Sequence, residues 1–303
     1  MSAITVRTPL RICLAGGATD CPGYFRTHGG CCLSACIDKY LTVAVQPNNR
    51  MVLPNNPQHP YALAAGWTER DFVKITSDVP SGSGMGGSGA LMVGLLKARW
   101  PELQGYELAQ AAYNIERYTL GKPIGYQDAV VAAYGGCVLM EIDTEGRLRV
   151  QPFDLPCDFA DRLLLMHTGI QRDAGAVLVQ QARELSTRLV SHEAMRTIQR
   201  LGHDIYEDLF LNDGRRFGEF TRKHWEYKRA TCEAVTTPQI DAWVELALTH
   251  GAEGIKNSGA GGGGYLLVVC QPADRLQLID ILTGAGLTHT PFRFVDSGVE
   301  VLT

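Results

Sequence analysis

A glycine- and serine-rich stretch at residues 80–91, PSGSGMGGSGAL, constrains this chain more than any other part of its sequence. Glycine lacks a Cβ atom, so such a loop brings backbone N–H groups close to a ligand in conformations that other residues rarely adopt. The apolar run at 91–99 predicts a helix directly after the loop, and free N–H groups at a helix start favour a phosphate. A flexible linker is the alternative, but a linker would not lead directly into so apolar a helix.

The loop does not match the two best-known phosphate-binding fingerprints. No Gly-Lys-Ser/Thr follows, as a Walker loop requires, and no acidic residue stands in a strand about 20 residues further on, as a dinucleotide fold requires. Ser83 and Ser88 would add hydroxyl groups for a phosphate oxygen or a magnesium ion. The stretch therefore predicts a phosphate site of another kind.

The bulk composition bounds the classes of protein that this sequence can encode. A chain of 303 residues is long enough to form two domains. Its 45% hydrophobic and 20% charged residues are ordinary for a globular protein. The net charge of −4 argues against a general nucleic-acid binder, which would need a basic face. The N-terminal residues hold no apolar core of signal-peptide length, and no apolar run approaches the ~20 residues of a membrane span. We therefore expect a cytoplasmic protein with no membrane partner, and a homodimer is carried as a hypothesis.

The nine cysteines invite a metal or disulfide interpretation. Cys31, Cys32 and Cys36 form the only cluster, and neither a Cys-x-x-Cys pair nor a histidine pair at metal spacing accompanies them. The odd count and the lack of a secretory signal favour reduced, buried thiols.

Alternation of apolar and polar residues, with glycines and prolines between the runs, predicts the order of elements. In the first half we expect strands at 3–16, 32–45 (a pair), 72–77, 137–142 and 148–153, and helices at 91–99, 106–120 and 125–134. In the second half we expect strands at 163–167 and 263–270, helices at 173–190, 192–211, 214–233, 238–250 and 273–283, and a final hairpin at 291–302. This order indicates an α+β sandwich with helices on one sheet face and a domain boundary near 152–156.

Three acidic residues stand where they could take part in chemistry. Asp20 follows the Gly16-Gly17 turn, where it would meet a sugar hydroxyl or else bond its own backbone in an Asx turn. Glu116 lies near the end of the helix at 106–120, where an exposed glutamate is the simpler interpretation. Asp128 would cap its helix, or else be partly buried among small apolar neighbours and need a partner.

Three motifs resemble those of a known kinase superfamily. Residues 80–91 are similar to its second motif, Pro-x-x-x-Gly-Leu-Gly-Ser-Ser-Ala; PLRICLAGGATD at 9–20 and KNSGAGGGGY at 256–265 are similar to its first and third motifs. This is the superfamily of galactokinase, homoserine, mevalonate and phosphomevalonate kinases, the GHMP kinases. Within it, LRICLAGGATD, GYQDAVVAAYGG and WEYKR at 225–229 are most similar to the bacterial D-glycero-D-manno-heptose-7-phosphate kinases.

The resemblance implies a two-domain α+β fold with the active site between the domains. Residues 1–155 would form an N-terminal domain with a mixed sheet, which carries the nucleotide loop and the catalytic aspartate. Residues 156–303 would form a ferredoxin-like α/β sandwich, which carries the third motif and substrate contacts.

The resemblance also implies roles for individual residues. Asp128 would be the catalytic base, and the positive charge of Arg11 would keep it ionised. Ser88 and Glu116 would hold Mg²⁺ through hard oxygen ligands. The nucleotide-binding residues would be Pro80, Gly82, Ser83, Gly84, Met85, Gly86, Gly87, Ser88 and Gly89. The substrate-binding residues would be Gly17, Thr19, Asp20, Arg172, Asp173, Lys228, Gly261 and Gly262.

The implied reaction is the phosphorylation of a sugar by ATP with Mg²⁺, at the anomeric hydroxyl of a heptose 7-phosphate. Basic residues agree with an acceptor that already carries a phosphate. Arg172 follows a predicted strand end, and Lys228 and Arg229 lie about one helical turn beyond Trp225. Solvated surface charges are the alternative for these cations.

The loop departs from the family pattern, because Gly86-Gly87-Ser88-Gly89 replaces Gly-Ser-Ser-Ala and one hydroxyl is lost. We therefore expect a weaker metal site or an adapted loop. A free-sugar kinase, a catalytically silent sugar- or nucleotide-binding regulator, and a decarboxylase of a phosphorylated mevalonate-like substrate are the alternative functions. Retention of Asp128, Glu116 and Ser88 argues against a silent protein, and the AGGATD and QDAVVAAYGG strings argue against the decarboxylase.

Overall fold

The computed structural model describes residues 3–47, 59–171 and 174–303, which form two antiparallel sheets with helices packed on them. The strands are β1 (Ile4–Ala15), β2 (Gly30–Gln46), β3 (Phe72–Ser77), β4 (Cys137–Ile142), β5 (Leu148–Phe153), β6 (Leu163–His167), β7 (Ala252–Asn257), β8 (Tyr265–Cys270), β9 (Thr288–His289) and β10 (Glu300–Val301). The α-helices are α1 (Pro22–His28), α2 (Pro60–Ala64), α3 (Gly87–Arg99), α4 (Gly105–Asn114), α5 (Gln127–Tyr134), α6 (Ala174–Leu185), α7 (Leu189–Leu211), α8 (Phe217–Thr231), α9 (Pro238–Thr249) and α10 (Arg275–Gly284). A π-helix follows α4 at Ile115–Thr119, and short 3-10 turns lie at Phe159–Arg162, Glu233–Val235 and Pro272–Asp274.

The first sheet has the order β10-β1-β2-β4-β5, with β3 also paired to β2. The pair of strands expected at 32–45 is one long strand: the end of β2 pairs with β3, and its beginning pairs with β4. Every strand pair in the described part of this sheet is antiparallel, so the expectation of a mixed sheet is wrong. Parallel neighbours need long crossover connections, and the turn between the end of β4 at Ile142 and the start of β5 at Leu148 is too short for one.

The second sheet has the order β7-β8-β6-β9, which is the ferredoxin-like arrangement that the resemblance implies. Side chains alternate along β6, so Leu164 and Met166 join a core with α9 and α10, while Leu163 and Leu165 join the core of the first sheet. The α+β fold is thereby confirmed, and the second sheet is buried on both faces.

Helix α3 is apolar on nearly all sides and is buried in the core against β1 and β2. A Cβ atom on Gly94 would lie 2.8 Å from the Thr8 hydroxyl oxygen, which shows how closely α3 approaches β1. This packing fixes the start of α3, and with it the glycine loop that precedes it.

Two expectations about strands are corrected. Strand β7 was not predicted at all, because AEGIKN has no clear alternation. The hairpin expected at 291–302 is wrong, since β9 pairs with β6 while β10 pairs with β1 in the other sheet. The domain limits of 1–155 and 156–303 stay a prediction. Strand β10, from the second of these ranges, pairs with β1 of the first, so the first sheet contains strands from both ranges.

The remaining expectations concern the helices and the thiols. The helices of the second half lie within five residues of their expected limits. Most are shorter than expected, but α7 begins earlier, at Leu189, and α10 ends one residue later, at Gly284. All nine cysteines are free thiols; seven are buried, Cys21 is half-buried and Cys157 is exposed. Among the described residues, no helix combines the length and the apolarity needed to cross a membrane.

Candidate active site

A cavity of about 450 Å³ lies between the glycine loop and elements from the second half of the chain. Its volume is within the range of small-molecule sites. One end is lined by β3 and the glycine loop, and the other by the turn after β1, the start of α5 and residues of α6 and α8. The cavity therefore brings the predicted nucleotide and acceptor residues to one place.

The glycine loop adopts the conformation that its composition predicts. Gly82, Gly84 and Gly86 have φ values of 72°, 81° and 75°, a region that side chains with a Cβ atom rarely enter. Gly86 directly precedes α3, so the free N–H groups of the first turn of α3 begin at Gly87. The residues of the loop that line the cavity are Pro80, Ser81, Gly82, Ser83, Gly84, Gly86, Gly87 and Ser88.

Two residues predicted to bind nucleotide lie outside the cavity lining. Met85 is buried in the core, and its carbonyl accepts a hydrogen bond from the backbone of Arg11. Gly89 faces α5, and a Cβ atom there would lie 2.6 Å from the Cβ atom of Asp128. Both residues therefore pack the loop against β1 and α5 and do not face the cavity.

The third motif packs against the glycine loop through its backbone. A Cβ atom on Gly264 would lie 2.2 Å from the carbonyl oxygen of Ser83, and one on Gly259 would lie 2.8 Å from that of Gly84. Gly261 and Gly262, expected to bind substrate, instead pack on Val235, whose carbonyl accepts from Gly262 N–H at 2.6 Å. Neither lines the cavity, whereas Gly259 and Ala260 do.

Asp128 and Arg11 form an ion pair in the wall of the cavity. Asp128 Oδ1 accepts from Arg11 Nε at 2.9 Å and from a terminal guanidinium nitrogen at 2.6 Å. The other terminal nitrogen of Arg11 donates to the Gly84 carbonyl at 2.5 Å, which ties the pair to the glycine loop. Burial lowers the pKa of Arg11, but the charge and hydrogen bonds of Asp128, together with the charges of Cys13 and Asp20, raise it, and the net direction is upward. Asp128 therefore has a charged partner, Arg11, and is more than a cap of its own helix.

Glu116 lies in the π-helix and is fully buried, so the alternative interpretation as an exposed glutamate is wrong. Its Oε1 atom accepts from the hydroxyl of Tyr61 at 3.0 Å, while Oε2 has no partner. Burial raises the pKa of Glu116 to about 7, although the nearby hydroxyl groups of Ser88 and Tyr61 oppose the shift. A buried carboxylate oxygen without a partner is costly unless a ligand satisfies it.

The arrangement of Ser88 and Glu116 fits a magnesium ion. Both offer hard oxygen atoms beside the N-terminus of α3, and the unpartnered Oε2 atom supplies a free ligand position. The described residues contain no group of three or more histidine, cysteine or acidic side chains around one point. Mg²⁺ is commonly held by one or two carboxylates together with substrate phosphates, and the single carboxylate of Glu116 matches that requirement.

The turn after β1 forms the acceptor end of the cavity. Asp20 is 3% exposed, and its Oδ2 atom accepts from the Gln127 backbone N–H at 2.8 Å, so it links the turn to α5. Gly17 lines the cavity, as does Ala18, which has an unfavourable φ of 79°. Thr19 was expected at the substrate but is fully buried, and its hydroxyl bonds the backbone of Gly16 and Cys31.

The predicted basic residues behave differently from one another. Lys228 lines the cavity and donates to the Gly17 carbonyl at 3.4 Å. Arg229 points away and pairs with Asp241 at 3.2 Å, because neighbouring residues of a helix face different directions. Arg172 and Asp173 lie outside the described residues.

Sequence reasoning missed two residues of the cavity wall. Tyr61, on the short helix α2, holds Glu116, and Gln127 donates to the Ser34 hydroxyl at 2.6 Å beneath the acceptor end. No charge or spacing pattern marks Tyr61. Gln127 lies directly before Asp128, and this position was the only available signal.

Family models and a full-length relative identify the chain. The models of the N-terminal and C-terminal domains of GHMP kinases match residues 61–136 and 205–286. A D-glycero-alpha-D-manno-heptose 7-phosphate kinase of Campylobacter jejuni is 30% identical over 99% of this chain and 99% of its own length. The chain belongs to the GHMP kinase family.

Solved structures agree with this family membership. A putative sugar kinase from Campylobacter jejuni has a TM-score of 0.77 and 29% identity, covering 99% of this chain and 98% of its own. A D-glycero-D-manno-heptose 1-phosphate kinase from Bacteroides thetaiotaomicron has a TM-score of 0.79 over 99% of both chains; at 24% identity it supports the fold alone. As a GHMP kinase, the protein is a phosphotransferase that uses ATP.

Proposed function

We propose that this GHMP kinase transfers the γ-phosphoryl group of ATP, with Mg²⁺, to the anomeric hydroxyl of a heptose 7-phosphate. The observation that carries the proposal is the Asp128–Arg11 ion pair, which lies in one cavity with the glycine loop on one side and Asp20 on the other. The sugar class is supported by the full-length relative, which is named a heptose 7-phosphate kinase.

The geometry of Asp128 suits a base for the acceptor hydroxyl. Both Arg11 hydrogen bonds go to Oδ1, which leaves Oδ2 for the acceptor. In the proposed step the hydroxyl proton passes to Oδ2 while the acceptor oxygen bonds to the γ-phosphorus. The bond from that phosphorus to the bridging oxygen breaks, and its electron pair leaves with ADP. Arg11 stays bound to Oδ1 and to the Gly84 carbonyl, so it holds the base in register with the phosphate loop.

Ser88 and Glu116 would hold the magnesium ion, and Tyr61 would orient Glu116 through its hydroxyl. When bound, Mg²⁺ neutralises charge on the phosphates during transfer. The glycine loop adds backbone N–H groups from the first turn of α3, which favour the same negative charge.

Replacement of Asp128 by asparagine tests the assignment of the base. Asp128→Asn keeps the shape of the side chain but cannot accept the proton, so kcat should fall about 10²- to 10⁴-fold. The affinity for a non-hydrolysable ATP analogue, measured by calorimetry, should stay near that of the wild type. A turnover rate close to wild type would rule out Asp128 as the base.

A panel of acceptors tests the substrate. ATP consumption is measured with heptoses, hexoses and deoxysugars, each free and phosphorylated, and the product is located by NMR. Preference for a free sugar would replace the proposal by a free-sugar kinase. Binding of nucleotide and sugar without any turnover would indicate a silent regulator.

Two further parts of the proposal concern the setting of the enzyme. We place it in the cytoplasm, where ATP and phosphorylated sugars are made, and fractionation of cells that express it tests this. A homodimer would be revealed by a light-scattering mass near twice the 33.1 kDa of the chain.

A further inference from the structure

Three basic side chains are buried together behind the acceptor end of the cavity. His224 and Lys228 lie one turn apart on α8 and so share a face, and Lys256 comes from β7. Their exposed fractions are only 4%, 3% and 1%. We call this set the basic cluster.

The basic cluster is poorly satisfied by the protein itself. Each lysine ammonium has three donors, yet among the described residues Lys228 makes one long bond, to the Gly17 carbonyl, and Lys256 makes one bond, to the Leu14 carbonyl at 2.6 Å. In the described ranges no carboxylate lies within ion-pair distance of either lysine, and neither ring nitrogen of His224 has a partner. Arg11, the neighbouring buried cation, is by contrast fully engaged with Asp128 and Gly84.

The surroundings of the cluster are electrically positive. Burial lowers the pKa of Lys256 to about 8, and the charges of Lys228 and Arg11 add to this effect. Burial likewise lowers the pKa of Lys228, which the charge of Asp20 opposes. Within the described ranges no hydrogen bond or ion pair joins Asp20 to Lys228, and one oxygen of Asp20 already accepts from the Gln127 backbone N–H. Buried charges that lack a counter-ion are costly, so an anion bound here would stabilise the folded protein.

Only Lys228 of the cluster reaches the cavity. It lies on the wall beside Gly17, Leu178 and Gly259, on the acceptor side of Asp128 rather than among the glycine-loop residues. Lys256 bonds the end of β1, and the turn that follows presents the Gly17 carbonyl to Lys228. Lys256 is thus placed to position the turn, and Lys228 to contact a ligand.

We propose that the acceptor end holds a dedicated site for a phosphate monoester group of the acceptor, in which Lys228 is the direct ligand and Lys256 positions the adjoining turn. The proposal deepens the proposed function and rests on it for the location of the acceptor. It assigns the discrimination between a phosphorylated and a free sugar to Lys228. A charge-assisted contact of this kind accounts for about a 10- to 150-fold difference in affinity.

The experiment first fills the glycine loop, so that phosphate cannot bind there. With Mg²⁺ and a saturating non-hydrolysable ATP analogue, inorganic phosphate and D-glycero-D-manno-heptose 7-phosphate are each titrated by thermal unfolding and calorimetry. Wild type should be stabilised further by both probes, and Lys228→Met should lose this response while it keeps the affinity for the ATP analogue. The matched control is Lys223→Met, on the same helix, whose exposed ammonium pairs with Glu219 and which should respond like wild type.

Kinetic measurements distinguish a Lys228 that binds the phosphate group from a Lys228 that only holds the turn at Gly17 in place. Lys228→Met should raise KM for the sugar phosphate about 10- to 150-fold and leave KM for ATP and for the free heptose unchanged, and Lys228→Arg should restore part of the preference. Equal losses with free and phosphorylated heptose would overturn the proposal, as would a wild-type protein that inorganic phosphate does not stabilise. If no heptose is phosphorylated but the phosphate response still depends on Lys228, the sugar of the proposed function fails while the phosphate site stands.

Discussion

At the scale of single residues, Gly87 and Gly89 distinguish this loop from the family motif, and the two positions differ in whether a larger side chain would fit. A Cβ atom on Gly87 would meet nothing within 4 Å, and Gly87 is not in the left-handed region. A Cβ atom on Gly89 would lie 2.6 Å from the Cβ atom and 2.9 Å from the backbone carbonyl carbon of Asp128. Only Gly89 is therefore required by the close packing of α3 on α5.

A matched pair of variants tests this distinction. Gly89→Ala should push Asp128 away from the loop, which we expect to lower kcat by up to about 10²-fold and to destabilise the fold by about 1–3 kcal/mol. Gly87→Ser should change the free energy of unfolding by less than about 0.5 kcal/mol and leave kcat near wild type. Steady-state kinetics and thermal unfolding measure both effects. Equal losses in the two variants would contradict the assignment of the steric constraint to Gly89.

At the scale of elements, local patterns predicted some parts of the chain and long-range contacts determined the others. The hairpin β4–β5 was predicted with its observed limits, because alternation and the turn at 143–146 are local signals. β7 was missed because its burial comes from α8 and β8, and Lys256 within it looks like a surface residue from sequence alone. The Asp128–Arg11 pair was foreseeable from the motifs, whereas the role of Tyr61 was not, since its contact with Glu116 spans 55 residues.

The π-helix carries the prediction that belongs to this scale. Wide turns of this kind often occur at functional sites, and here one holds Glu116 beside Ser88. Because both side chains would bind one ion, Glu116→Gln and Ser88→Ala should each raise the Mg²⁺ concentration for half-maximal rate, and their effects should be non-additive in the double variant. Calorimetric titration of Mn²⁺ into the complex with the ATP analogue gives a readout independent of turnover. Independent effects with unchanged metal binding would argue against a shared site.

At the scale of the whole molecule, the candidate active site lies where elements of the two sheets meet. The backbone of Gly264 touches Ser83, Lys228 reaches Gly17, and Lys256 of the second sheet bonds Leu14 of the first. Lys256 is the deepest of these links, because its ammonium group is almost completely excluded from solvent. The junction that builds the cavity therefore includes a buried charge whose cost depends on pH.

Lys256→Met makes that cost measurable. Burial lowers the pKa of Lys256 from 10.5 to about 8 in the folded protein. Below pH 8 the amine is charged in both states and its burial cost is fully present. Between pH 8 and 10.5 the unfolded chain binds a proton that the folded chain does not, so this contribution to stability rises with pH.

The stability of Lys256→Met relative to wild type should therefore be most favourable below pH 8 and should decline by about 3 kcal/mol by pH 10.5. Loss of the bond to the Leu14 carbonyl shifts the level of this difference but not its slope, because that contact does not titrate. Urea unfolding of both proteins from pH 7 to 10.5 measures the difference, and titrating groups that do not interact with Lys256 cancel between them. Lys223→Met, with its exposed amine, should show a flat difference from wild type. If the difference in the free energy of unfolding between Lys256→Met and wild type also does not change with pH, burial does not lower the pKa of Lys256. The junction would then carry no buried charge that an anion could stabilise.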